Sequence, residues 1–233
     1  VEGEQMRLED VNQLLEPGYL PTESGYQFFD DGYATVSSIA RMPGCSAEMV
    51  NWWFGWLGGT KDYKLWHPRD HVFCDWENRE PGKYIGASHL VHEYMGGSGP
   101  LYKLRITFLD PTTIFDPKAY STLDGVAICA RSGLLEEPLD TGYLIHCVRN
   151  TDFGCEMRSR FFMGHLANRE SGKAFSEGEA VAIRKSAITE QRVTGLHKHA
   201  TEEMGYLAEF LPILYRQATG SLTERTGVLE GGD

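Results

Sequence analysis

Histidines paired at short spacing are the residues with which this chain could most readily do chemistry. Eight are present, and six of them fall into three close pairs. His67 and His71 are four residues apart, and His199 lies four residues before Glu203, a spacing that brings two side chains to one face of a helix. Neutral imidazole is the commonest protein metal ligand, and imidazole with carboxylate is a standard donor set for zinc. The pattern indicates a metal site assembled from separate segments.

A further candidate ligand is Glu93, in the segment Ser-His-Leu-Val-His-Glu-Tyr. If this segment is a strand, His89 and Glu93 point to the same side. A carboxylate in an apolar strand is costly unless it is exposed, paired or bound to a metal. Gly96 and Gly97 then end the strand.

Each of these segments also has an ordinary structural explanation. A pair of histidines four apart is common on surfaces, and Glu93 could face solvent from the outer side of a strand. Glu203 could be a surface charge favoured by a helix N-terminus. His146 lies in an apolar strand-like run and could be a hydrogen-bonded core residue or part of a pocket. Only the combination of segments favours chemistry.

Composition narrows the class of protein. The 233 residues suffice for one substantial domain, and the formal net charge of −11 argues against nucleic acid or an anionic membrane as the main partner. No apolar stretch is long enough to span a bilayer, and no signal-peptide pattern opens the chain, although it does not begin with Met. Five cysteines without CxxC spacing suggest a reducing compartment, so we expect a cytoplasmic protein.

Familiar catalytic motifs are missing from the sequence. It contains no P-loop, no GxGxxG fingerprint after a strand and no GxSxG elbow. The commonest nucleotide-binding and serine-hydrolase classes are therefore excluded.

The elements that must position these residues are mainly strands followed by one late helix. Apolar periodicity predicts a short helix over 8–15, a strand over 33–41, and a helix that Ser46 caps and Gly58 ends. A long helix is predicted over 200–217, kinked or limited by Pro212. Further extended segments are predicted over 87–94, 102–108, 125–131, 142–149, 155–164 and 195–199. This order predicts an α+β domain in which an antiparallel sheet wraps a C-terminal helix and leaves a cavity between them.

Five segments together resemble the diacetylphloroglucinol hydrolase and phloretin hydrolase family, over roughly residues 45–216. They are residues 63–71, 92–97, 146–149, 158–161 and 199–203. The resemblance implies a Bet v 1-like helix-grip domain with a short N-terminal extension. It also implies a bound zinc ion, or another divalent metal, and hydrolysis of the C–C bond between an acyl carbon and a phenolic or polyketide-type ring. The corresponding divisions are an extension over 1–44, a catalytic domain over 45–217 and a disordered tail over 218–233.

The resemblance also assigns roles to individual residues. The implied metal ligands are His71, Glu93, His199 and Glu203. His71 is preferred to His67 because the family's substrate-contacting tyrosine lies eight residues before its first ligand, where Tyr63 stands here. His146 corresponds to the family's pocket histidine, and we expect it and Tyr63 to be catalytic. In this scheme His146 acts as a general acid or holds the phenol.

Two positions depart from the family's pattern. Its substrate-binding asparagine falls on Cys74, and a second pocket tyrosine falls on Phe161. The substrate-contacting positions are therefore expected to be Tyr63, Cys74, Phe161 and His67. Because an amide and a hydroxyl are lost, two alternatives stay open: a non-hydrolytic isomerisation or cyclisation of a polyketide, and a small-molecule carrier. The expected partner is a small aromatic ketone, and a homodimer is the candidate assembly.

Overall fold

One antiparallel sheet of eight strands is the main layer of the protein, for which a computed structural model describes residues 5–220. The strands lie in the order β1-β2-β8-β7-β6-β5-β4-β3. Their bounds are β1 Gly25–Phe28, β2 Ala34–Pro43, β3 His71–Glu77, β4 Ser88–Met95, β5 Ser98–Leu109, β6 Gly125–Leu134, β7 Leu139–Thr151 and β8 Gly154–Asn168. The helices are α1 Ala47–Trp56, α2 Thr60–Trp66, α3 Pro117–Tyr120, α4 Glu177–Ala187 and α5 Glu190–Thr219, with 3-10 turns at Leu8–Leu15 and Pro111–Thr113.

The long helix α5 starts ten residues earlier than its sequence pattern predicted. Thr189 caps it by accepting a hydrogen bond from the Arg192 amide, and buried Val193 and Leu196 extend its apolar face toward the N-terminus. The predicted extended segment over 195–199 is therefore wrong. Gly195, at the start of that segment, lies inside the helix, and its lack of a side chain lets α5 approach β4, because a Cβ there would come within 2.7 Å of the Met95 carbonyl oxygen.

The sheet wraps around α5, which supplies the centre of the core. The helix continues through Pro212 to Thr219. Within residues 5–220, no helix is both long and apolar enough to cross a bilayer. Buried residues of α5 and of the strands share one cluster that includes Met204, Leu207, Leu211, Val91, Ile128 and Met157. The predicted α+β helix-grip arrangement is confirmed.

The first 44 residues, predicted as an extension, contribute strands to the same sheet. Strand β2 pairs with β8 along its whole length, from Ala34 opposite Met163 to Pro43 opposite Gly154. Strands β1 and β2, which fall in the predicted extension, therefore belong to the same sheet as the strands of the predicted catalytic domain. At the other end, the predicted tail begins inside α5, and residues 221–233 lie outside the described part of the chain.

Helices α1 and α2 lead the chain to His67 and His71, the first two histidines. The Ser46 hydroxyl accepts a hydrogen bond from the Met49 amide, as its predicted role as N-cap requires. Helix α2 follows after Gly58 and Gly59 and ends at Trp66, so that His67 becomes its C-cap. The chain then turns and enters β3 at His71.

Candidate metal centre

Three elements bring the four predicted ligands into one buried cluster. His199 and Glu203 lie one turn apart on α5, and His71 opens β3 opposite Glu93 of the neighbouring strand β4. All four side chains are buried. Because His199 lies well inside α5, the free amides of a helix N-terminus cannot account for the carboxylate of Glu203.

The nitrogen and oxygen atoms of three of these residues converge. His71 Nε2 and His199 Nε2 each lie 3.2 Å from the Oε2 atom of Glu203. Ligand atoms of these three residues all lie within 4.8 Å of one another. Glu93 is close but differently engaged: its Oε2 lies 3.8 Å from His71 Nε2 and accepts a 2.5 Å hydrogen bond from the Tyr63 hydroxyl.

Hydrogen bonding separates His71 from His67 as a ligand. His71 Nδ1 lies 2.8 Å from the Tyr63 carbonyl oxygen, which can only accept, so Nδ1 carries a proton and the lone pair of the neutral ring is on Nε2. That Nε2 is buried and lies 3.2 Å from the Glu203 carboxylate, where the other ligand atoms converge. His67 has the opposite arrangement, since its Nδ1 accepts from the Asp70 amide and the proton of the neutral ring must sit on Nε2. The His71 lone pair therefore suits a metal ion, and that of His67 is already in use.

Asp70 is a further buried group behind the cluster. Its Oδ2 lies 3.0 Å from His199 Nδ1 and accepts hydrogen bonds from the amides of Gly96 and Gly97. The second ring nitrogen of His199 is thereby fixed as a donor, and Nε2 is aimed at Glu203. A carboxylate behind a ligand histidine is the usual way to orient its ring and raise its basicity.

The electrostatics of the cluster favour a positive charge. Burial alone would lower the pKa of His199, but Glu203 and Asp70 outweigh it and raise that pKa to about 10. Burial opposes ionisation of Asp70, yet the histidines around it bring its pKa down to about 2. The pKa of Glu203 is likewise held below its ordinary value, mainly by His199 against the effect of burial. A cation is the ligand that such a pocket would stabilise.

The cluster forms one wall of a small cavity between sheet and helix, called here the inner chamber. Besides three of the predicted ligands, aromatic rings and two further histidines line it. The lining residues are Phe54, Tyr63, Trp66, His89, Glu93, Ile106, Phe108, Leu144, His146, Phe161, Leu196, His199 and Glu203. The structure thus places the predicted Tyr63 and His146 beside the candidate metal ligands.

Two histidines of the inner chamber are held neutral. Burial lowers the pKa of His146 to about 4 and that of His89 to about 3. His146 Nδ1 shares a 2.8 Å hydrogen bond with the Ser159 hydroxyl on the neighbouring strand. The side chain of His89 has no hydrogen-bond partner in the described chain, and its buried Nε2 is unsatisfied. Both rings can therefore exchange hydrogen bonds with a bound molecule without carrying charge.

Of the three other residues predicted to contact substrate, one lines the inner chamber and two do not. Phe161 lines the inner chamber, with its ring 6.0 Å from that of His146. Cys74 is buried in the hydrophobic core and lines no described chamber, and burial raises the pKa of its thiol to about 12. His67 lies behind the cluster, its ring stacked 4.8 Å from that of His199. The structure thus keeps Cys74 and His67 out of the chamber.

Asp70 and His89 are the two site residues that sequence reasoning did not single out. Asp70 directly precedes His71, and a carboxylate next to a ligand histidine is a usable signal. His89 lies four residues before Glu93 on β4, and the strand alternation already placed both side chains on the same side. The lack of a hydrogen-bond partner for His89 depends on its distant neighbours, so no local pattern predicts it.

Two curated hydrolases and several solved structures are similar to this chain. A 2,4-diacetylphloroglucinol hydrolase from Pseudomonas sp. is 29% identical over 90% of this chain and 76% of its own length. The phloretin hydrolase of Eubacterium ramulus is 28% identical over 83% of this chain and 71% of its own length. Among solved structures, protein Ms6760 from Mycobacterium smegmatis has a TM-score of 0.43 at 10% identity, over 82% of this chain and 98% of that one.

The family assignment rests on the length of the match as well as on the residues. The profile described as the DAPG hydrolase PhiG domain matches residues 6–216, which include all eight strands and every residue of the cluster. The resemblance found in five short segments therefore extends over nearly the whole described structure. The chain belongs to the DAPG hydrolase family.

Proposed function

We propose that this chain is a zinc-dependent hydrolase that cleaves the C–C bond between an acyl carbon and a phenolic or polyketide-type ring. The observation that carries the proposal is the convergence of His71 Nε2, His199 Nε2 and Glu203 Oε2 within 4.8 Å of one another, in a buried cluster whose His199 and Glu203 line the inner chamber. The hydrolases among the relatives support the reaction class. Five free, buried cysteines support a reducing compartment, and we place the reaction in the cytoplasm.

His71, His199 and Glu203 would hold the ion, with Glu93 as the fourth ligand or as a neighbour that Tyr63 holds in place. A three-residue His and carboxylate set is typical of catalytic zinc sites, which keep a further position open. A zinc ion bound here would polarise a ketone oxygen and lower the pKa of a bound water to about 7.

Tyr63 and His146 would bind the substrate beside the metal ligands. Hydrolysis adds water to the acyl carbonyl, breaks the bond to the ring and returns a proton to the ring carbon. Tyr63 stays protonated, because burial and nearby carboxylates raise its pKa well above the usual value; its proton is donated to Glu93, and its oxygen can accept a hydrogen bond from a hydroxyl of the substrate. Since the pKa of His146 is about 4, the ring is neutral at physiological pH. Of its two expected roles, holding the phenol is favoured over that of general acid.

Replacing Asp70 should weaken the metal site without removing any ligand. In Asp70→Asn the ring of His199 loses its anionic partner, and we expect the affinity for zinc to fall roughly 10–100-fold. Competition with a chromophoric chelator measures the change. Asp75→Asn, an exposed carboxylate on β3, is the matched control and should leave affinity unchanged. Equal zinc affinity in Asp70→Asn and the wild type would rule out this supporting role.

Replacing His89 should separate stability from activity. In His89→Leu an unsatisfied buried polar atom disappears, and we expect the free energy of unfolding to rise by about 1 kcal/mol. The substrate loses a hydrogen-bonding partner, so kcat/KM should fall roughly tenfold. Denaturant titration and steady-state kinetics provide the two readouts. His92→Leu, on the same strand but outside the chamber, should change neither, and unaltered kinetics in His89→Leu would remove that residue from the substrate site.

Product analysis in ¹⁸O-labelled water tests the proposed reaction. A trihydroxyphenyl alkyl ketone should yield the free ring and a carboxylic acid that carries one solvent oxygen. A rearranged product of unchanged mass would favour the isomerase alternative. Stoichiometric binding with no product would favour the carrier, and either outcome would contradict hydrolysis.

A further inference from the structure

A second cavity adjoins the inner chamber and is called here the outer chamber. It lies between the sheet and the segment that joins α4 to α5, with a volume of about 150 Å³. Leucines and isoleucines make up much of its wall, among them Leu104, Leu134, Leu166, Ile183 and Ile188. The two chambers share five lining residues: Glu93, Ile106, Leu144, Phe161 and Leu196. These five residues, four of them apolar, form the boundary between the chambers and are called here the partition. The outer chamber therefore adjoins the candidate metal ligand Glu93.

The sizes of the chambers limit what each can hold. The inner chamber offers only about 50 Å³, whereas an apolar cavity of about 150 Å³ is known to hold a benzene-sized molecule. On this scale the inner chamber cannot enclose a whole aromatic ring, so it holds the hydroxyl-bearing edge of the ring that lies beside the metal ligands. Part of any such substrate must extend through the partition into the outer chamber.

The polarity of the two linings indicates which part of the substrate lies in each chamber. Tyr63, His89 and His146 supply hydrogen-bonding groups to the inner chamber. The outer chamber has a mainly apolar wall, although six of its 22 lining residues have polar side chains, and a phenolic hydroxyl left without a partner among its leucines and isoleucines would be costly. Hydroxyls of the ring therefore belong with the inner chamber, and hydrocarbon belongs with the outer one.

Helix α4 closes the outer chamber and is fixed in place by Arg184. Its guanidinium donates to the Gly164 carbonyl at 2.8 Å, to the Tyr33 hydroxyl at 2.5 Å and to the Glu177 carboxylate at 2.7 Å. With these polar groups engaged, Arg184 contributes mainly its alkyl stem to the lining. The helix thus presents Ile183 to a chamber with a defined wall.

We propose that the outer chamber is the subsite for an apolar acyl arm, so that the substrate is a phenolic ketone whose arm is hydrocarbon and extends beyond the acetyl group. The inference rests on the proposed function and specifies its substrate class. Water adds to the acyl carbon, the bond to the ring breaks, the ring carbon takes a proton, and the arm leaves as an apolar carboxylic acid. No additional reactant is required.

A series of trihydroxyphenyl ketones with acetyl, butanoyl and hexanoyl arms tests the subsite. Binding to the full-length, zinc-loaded chain is measured by calorimetry and hydrolysis by product analysis. Burial of each added methylene should tighten binding roughly threefold to fourfold. Equal affinity for the acetyl and hexanoyl ketones would overturn the subsite, even if all are cleaved. Arm-dependent binding without cleavage would support the subsite and overturn the proposed hydrolysis.

A filling substitution tests the location. Ile183→Trp places a bulky ring in the outer chamber, and we expect hexanoyl binding to weaken at least tenfold while acetyl binding changes less than twofold. Ile213→Trp makes the same substitution at a position on α5 that is 54% exposed and outside both chambers, and it should retain the wild-type series. Tight hexanoyl binding in a folded Ile183→Trp protein would contradict the assignment. If that variant does not fold, the wild-type series alone still decides the outcome.

Discussion

Glu203→Gln should lose both the bound ion and catalysis. The substitution keeps the size of the side chain but removes the charge whose oxygen lies 3.2 Å from both His71 Nε2 and His199 Nε2. A metal ion contributes several kcal/mol of transition-state stabilisation, so its loss should lower kcat/KM on the order of a thousandfold. Metal analysis of the purified variant and steady-state kinetics on a trihydroxyphenyl ketone check the two parts.

The neighbouring residue provides a matched control. Glu202 lies on the same helix turn but pairs with Arg69, outside the converging ligand set. Glu202→Gln should therefore keep its zinc and most of its activity. A Glu203→Gln protein with stoichiometric zinc would show that this carboxylate is not a ligand.

His146→Ala should keep its metal and lose turnover. His146 lines the inner chamber but is not one of the converging ligands, so zinc content should match the wild type. Loss of one positioned hydrogen bond in the transition state should lower kcat roughly a hundredfold. Because the pKa of His146 is lowered to about 4, the ring is neutral above about pH 5, and the residual activity should keep the wild-type pH profile above that value.

His165→Ala is the corresponding control on β8. Burial also lowers the pKa of His165 to about 4, yet its ring packs between Tyr33 and Tyr143 and does not line the inner chamber. Its replacement should affect stability and leave kcat near the wild-type value. An unchanged kcat in His146→Ala would remove that residue from the reaction, and a lost alkaline or neutral limb would restore its role as general acid.

Local patterns predicted much of the fold. Strand alternation located β4 to β8 and placed His89 and Glu93 on the same side of β4, since side-chain direction in a strand depends only on residue parity; which side is buried was left open. The N-cap at Ser46 and the apolar face of α5 were also predicted from the sequence. These features depend on neighbours in sequence, which is why they could be predicted.

Features that depend on distant contacts were missed. The first turns of α5 bury Val193 and Leu196, and Gly195 packs there against the Met95 backbone, a contact between segments about 100 residues apart. The buried position of Asp70 depends on His199 and on the amides of Gly96 and Gly97. The exclusion of Cys74 from the chamber likewise follows from tertiary packing. The spacing of residues identified which of them could share a site. It did not predict which ring nitrogen of each histidine forms a hydrogen bond and which faces the cluster.

Turnover before and after removal of the metal tests the central claim most directly. A chelator-treated sample of the full chain, its zinc content verified by elemental analysis, would be assayed on a trihydroxyphenyl ketone beside the same sample reloaded with zinc. The arrangement of His71, His199 and Glu203 predicts one zinc per chain, loss of hydrolysis when it is removed and recovery when it is restored. Full hydrolysis by the metal-free protein would contradict the account.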